Sequence, residues 1–135
     1  MRFTEHELTT ALTGAAKQLL AVQRRDVRKG RADIEAVWAE MDRYQRFRIL
    51  DALGDQLLPV LVSLPDVEVA PGTRPTFTDE QIDAAVDGSI GEGGGRLRRR
   101  AAVAARAALV RSALQQLPVR NDPGAPADPG STPPP

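Results

Sequence analysis

The sequence predicts an all-α fold: a small helical bundle of about five helices followed by a disordered proline-rich C-terminal tail. Three observations carry that expectation. Capping boxes recur, with Thr4 and Glu7, Asp42 and Gln45, and Thr78 and Gln81 each three residues apart at the head of an amphipathic run. Apolar residues then repeat at steps of four and three, the spacing of one helical face. Prolines and glycines gather between those runs and at the C-terminal end. A chain of 135 residues buries a core without staples, so one helical domain over 1–117 and a tail over 118–135 are expected.

The first helix should begin at Thr4, with Phe3 packing on Leu8 as a hydrophobic staple. Leu8, Leu12, Ala15, Leu19 and Val22 draw its buried stripe, and Lys29-Gly30 ends it, giving a helix over 5–29. Asp33 caps a second helix over 33–41, which buries Ile34, Val37, Trp38 and Met41. The stripe then loses phase. Asp42 starts a third helix over 43–64 whose face is Phe47, Leu50, Leu53, Leu57 and Leu61, with a kink or restart expected at Pro59.

From Pro65 to Pro75 the prolines and Gly72 describe an extended connector, in which 67–69 forms at most a short strand. A fourth helix over 78–88 follows. Residues 77–88 repeat the pattern of 3–14, with staple, cap, buried pair and glycine in the same places. Twelve residues are too few to require duplication, and recurrence of a common capping motif accounts for them. Gly91 to Gly95 reads as a flexible hinge, and a last helix over 96–117 buries Val103, Ala107, Val110, Leu114 and Leu117. Beyond it, seven prolines and two glycines in 118–135 leave too little apolar surface to offset ordering.

Composition excludes several chemistries. There is no cysteine, hence no disulfide framework, thiolate metal site or cysteine nucleophile. The N-terminal residues lack the apolar stretch of a signal peptide, and the longest uncharged apolar run, 57–64, is far short of a membrane span, so a cytoplasmic, non-membrane protein is expected. His6 is the single histidine, and Glu5 and Glu7 beside it diverge around a helix, so no metal or cofactor site is expected. No serine sits in a nucleophile elbow, and no carboxylate pair stands out among Glu35, Glu40, Asp42, Asp51 and Asp55. Residues 83–94 fail as a calcium loop for want of the closing carboxylate, and the glycine run lacks the lysine of a phosphate cradle. These absences point away from an enzyme.

Charge patterning offers more. Formal net charge is zero, with 18 basic residues against 18 acidic, which argues against coating nucleic acid by bulk charge. Sixteen of the basic residues are arginine, in keeping with a compositional bias toward Ala, Pro and Arg, so nothing is argued from arginine over lysine. Residues 79–92 hold five acids and no base; 96–111 hold six arginines, Arg96, Arg98, Arg99, Arg100, Arg106 and Arg111, and no acid. Four of these crowd a helix N-terminus, where positive charge is unfavourable, so an anion is expected beside them. The acidic helix across the hinge is the nearer candidate; an external phosphate or acidic protein is the other.

A second cluster, Arg24, Arg25, Arg28, Lys29 and Arg31, ends the first helix, where positive charge suits the dipole. No aromatic is interleaved with either cluster, and 33–58 is too apolar to serve as a helix-turn-helix reader. The leading expectation is therefore a non-catalytic helical adaptor or accessory protein. It would bind a protein partner, or a second copy of itself, through an apolar helix face. A nucleic-acid-binding regulator using both clusters is the alternative, and a carboxylate enzyme comes third.

Overall fold

The computed structural model describes residues 1–91 and 94–121. It is all-α, with six helices among the described residues: α1 (Glu5–Gln23), α2 (Arg25–Arg28), α3 (Ile34–Glu40), α4 (Arg43–Ser63), α5 (Asp79–Ser89) and α6 (Arg96–Gln115). The three capping boxes form as the sequence implies. Thr4, Asp42 and Thr78 each accept from the backbone N–H three residues on, and Glu7, Gln45 and Gln81 each accept from the backbone N–H of their cap.

The helix expected over 5–29 is broken at Arg24, whose backbone is extended (φ −88°, ψ 118°). Asp26 explains the break. Its carboxylate accepts from the Arg24 guanidinium at 3.2 and 3.0 Å and from the Val27 backbone N–H at 2.9 Å, offering the chain a local alternative to the helical ladder. One more turn, α2, follows before Gly30 reverses the chain at φ +71°. Pro59 does not interrupt α4, which runs through it unbroken, with Pro59 on the exposed side of the helix.

Helix α1 packs antiparallel to α4. The Met1 nitrogen donates to the Val62 and Leu64 carbonyls, while Leu12 lies against Gly54. It is also antiparallel to α6, since Gly14 meets Gln116 and Gln18 accepts from Ser112. Helix α5 returns along α6 and rests on the last turns of α4, with Gln81, Ala84 and Gly88 facing Pro59 and Ser63 across a shallow groove.

The core is built from Leu53, Leu57, Val60, Leu61 and Leu64 of α4 and its C-cap, Ile82 and Val86 of α5, and Ala107, Val110, Leu114 and Leu117 at or just beyond α6. Trp38 and Val37 are buried as expected. In α1 the fully buried apolar residues are Ala11, Ala15 and Ala16, whereas Leu8, Leu12 and Leu19 are half-buried. Small side chains let α1 and α6 approach closely, and Gly14 marks the tightest point: a Cβ there would lie 2.6 Å from the Gln116 Cβ.

Of the expected core residues, Ile34 is only half-buried and lies outside the core cluster, and two more are exposed. Val22 is 67% exposed and Phe47 is 63% exposed. The antiparallel register of α1 and α4 sets both residues at the same end of the pair, away from the turns of α4 that α5 covers.

The connector is irregular up to a turn at Gly72 (φ +79°), and residues 67–69 form no strand, within what the sequence allows. Its single bridge is between Thr73 and Arg120, with Arg120 N donating to Thr73 O at 2.8 Å and Gly72 N donating to Arg120 O at 2.6 Å. Residues 118–120, assigned by composition to the disordered tail, are therefore docked, while Asn121 is exposed. Residues 122–135, which carry the rest of that expectation, lie outside the described residues, as do Glu92 and Gly93 of the expected hinge.

Candidate interaction surface

The arginines at the head of α6 divide into two groups. Arg99 reaches across to α5, where its Nε and one terminal nitrogen donate to Asp87 Oδ1 at 3.2 and 2.9 Å; the guanidinium also donates to the Asp87 and Gly91 carbonyls. Arg111 lies 3.2 Å from Asp79 and 3.5 Å from Asp83. The acidic helix thus supplies the anion for these two. Arg96, Arg98 and Arg100 are exposed and, among the described residues, form no salt bridge. Arg106 is half-buried, and its Nε is buried without a hydrogen-bond partner.

The second cluster surrounds α2. Arg24 is held by Asp26, whose carboxyl is drawn below its ordinary range chiefly by the hydrogen bond from Arg24, while the guanidinium is raised by the same bond. Arg25, Arg28, Lys29 and Arg31 are exposed and, among the described residues, take no ion-pair partner. The two clusters are not merged into one spent set. Two of the six arginines of the first, Arg99 and Arg111, are committed to α5, whereas most of the second faces solvent.

The first two turns of α4 carry a feature that the sequence reading passed over. Arg43-Tyr44-Gln45-Arg46-Phe47-Arg48 interleaves aromatic and basic residues, and Tyr44 and Phe47 are 67% and 63% exposed. The Arg48 guanidinium lies over the Tyr44 ring, 5.9 Å from its centroid. Below them on the same exposed side are Asp51 and Asp55. With Val22 at the neighbouring end of α1, three large side chains meet solvent here; Val62, Leu97 and Val119 are exposed elsewhere on the surface. The signal was legible for Tyr44, which stands away from the leucine stripe of α4, but not for Phe47, which belongs to the edge of that stripe and is exposed because no neighbouring helix reaches it.

A third site is internal. Glu7 is 1% and Arg120 is 4% exposed, and they form a bidentate pair at 2.9 and 3.1 Å. Arg120 also donates to the Arg2 carbonyl at 2.9 Å and lies over the Phe3 ring. Glu7 already accepts from Thr4 N in the capping box, so a single carboxylate serves as cap and counter-ion.

A groove of about 560 Å³ runs between the connector and the α5–α6 pair, lined by Arg74, Phe77, Ile82, Leu114 and Val119. Its one carboxylate, Asp79, is engaged by Arg111. His6 is exposed at the head of α1, and among the described residues no group of three His, Asp or Glu converges on a point. Among the described residues, no helix is long and apolar enough to cross a membrane. No protein-family model, curated protein or solved structure matches the chain.

Proposed function

We propose that this chain is a non-catalytic interaction module, a small helical adaptor or accessory protein that receives a protein partner on the exposed N-terminal half of α4. The observation that carries the reading is the pair of exposed aromatics, Tyr44 and Phe47, with Val22 beside them. The inward-facing leucines of α4 and the small residues of α1 are consumed by the protein's own core; Leu97 and Val62 are exposed elsewhere, but it is here that the exposed aromatics gather. Exposed aromatics flanked by arginine are the composition of protein-binding hot spots. Asp51, on the same side of the helix, would repel a phosphate backbone and suits a donor on a protein surface. A cytoplasmic setting goes with this reading, since a chain without cysteine asks nothing of an oxidising compartment.

A nucleic-acid-binding regulator is the second reading, and the exposed Arg25, Arg28, Lys29 and Arg31 favour it. One experiment separates the two. A photo-crosslinking residue at position 47, with one at position 80 as reference, is irradiated in the native host. A discrete adduct that is specific to position 47 and survives nuclease supports the protein partner. An adduct lost to nuclease transfers support to nucleic acid, and equal labelling from both positions removes the α4 site.

A further inference from the structure

Tyr44, Arg48, Asp51 and Asp55 follow one another on α4 at steps of four, three and four, so they form one narrow stripe along the exposed side of the helix. All four are exposed. Among the described residues, Arg48, Asp51 and Asp55 make no salt bridge. Arg48 stands N-terminal to Asp51, the less favourable order for pairing along a helix, which leaves both charges available.

The order of the stripe is self-complementary. Read backwards, four, three, four is the same spacing, so a second α4 laid antiparallel meets the first in a single register. In that register Arg48 of each chain stands opposite Asp51 of the other, and Tyr44 stands opposite Asp55. From this palindromic charge pattern we infer that the occupant of the α4 face is a second copy of this chain, in a two-fold dimer.

Several features of the structure fit that occupant. A two-fold axis perpendicular to the helices repeats each pair, giving two ion pairs and two tyrosine-to-carboxylate hydrogen bonds from four residues. The stacking of Arg48 on Tyr44 holds the guanidinium beside the ring, so little side-chain freedom is lost on association. Phe47 flanks the stripe on the side toward α1, where Val22 extends the apolar contact. A single helix face of about three turns gives an interface below the standard size, so the dimer should be a weak, reversible one rather than an obligate one.

The inference rests on the α4 reading above and deepens it, and its test is independent of any host partner. Sedimentation equilibrium of the purified full chain, from about micromolar to about millimolar concentration, should show the molar mass rising toward two chains. Arg48→Asp alone and Asp51→Arg alone each place like charges opposite one another, and each should weaken dimerisation at least about tenfold. Mixing the two variants, or combining them in one chain, restores Arg–Asp pairs and should recover the dimer. Tyr44→Ala, which introduces no charge, should weaken it as well. Both charged positions are exposed and unpaired, so helicity by circular dichroism should be unchanged in every variant. A chain that stays monomeric throughout the range overturns the inference. So does a dimer indifferent to both single reversals, or one that the double reversal fails to rescue. A strictly monomeric chain that still gives a position-47 adduct with another protein would leave the α4 site standing and remove only the second copy as its occupant.

Discussion

Glu7 and Arg120 show how little of a side chain's role its local sequence reveals. Glu7 occupies the third position of a capping box, and that role was legible; its burial against a residue 113 positions away was not. Removing one partner strands the other charge in a closed environment, so Arg120→Ala or Glu7→Leu should each destabilise by about 3–5 kcal/mol. Ending the chain after Pro118 should have the same effect. Urea unfolding of the three variants checks this, and a loss near zero would mean that the pair is open to water. The glycines of the twice-used motif give a second residue-level prediction, of opposite signs. Gly88 has open space where a Cβ would go, so Gly88→Ala should stabilise by roughly 0.5–1 kcal/mol through helix propensity. Gly14 is pressed against the base of the Gln116 side chain, so Gly14→Ala should lose about 1–3 kcal/mol despite the same propensity gain. Equal effects at the two positions would count against the close approach of α1 and α6.

The elements themselves were largely readable, and the exceptions have physical causes. The starts of α1, α4 and α5 came from capping boxes, which are local chemistry and therefore visible in sequence, whereas Asp33 precedes α3 without making the side-chain cap bond expected of it. The break at Arg24 was hidden because Asp26 competes for the backbone through its own side chain, in a stretch whose composition reads as helical. Burial was misjudged at Val22 and Phe47 because periodicity gives the direction of a side chain, not whether a neighbouring helix extends far enough to cover it. The same limit concealed the α4 surface: a stripe pointing away from the core is ordinary until the exposure of its aromatics is known. At α6 the dipole argument yields a split prediction. Replacing Arg96, Arg98 and Arg100 by Gln relieves repulsion at a helix N-terminus and should leave the melting temperature level or raise it. Arg99→Gln, which gives up the bonds to Asp87, should lower stability by under about 1 kcal/mol. A marked loss on the triple replacement would show that those three also hold an anion.

Taken whole, the molecule is neutral by composition, and part of its charge is sorted along the chain and then folded together, with three acids of α5 against Arg99 and Arg111 of α6. Its three most distant stretches of sequence, 2–7, 72–73 and 120, meet at Arg120. That meeting has a consequence in time. The helices and their hairpins bring together residues close in sequence, whereas the Glu7–Arg120 pair must wait for the loop that joins them to close. It should therefore be among the last contacts made on refolding and among the first that must break on unfolding. Arg120→Ala should show a φ value below about 0.3, with its destabilisation expressed in the unfolding arm of the chevron. A φ value near one would instead bring the two ends of the chain together in the transition state. With the low value, residue 120 governs how long a folded molecule lasts and has little say in how fast it forms.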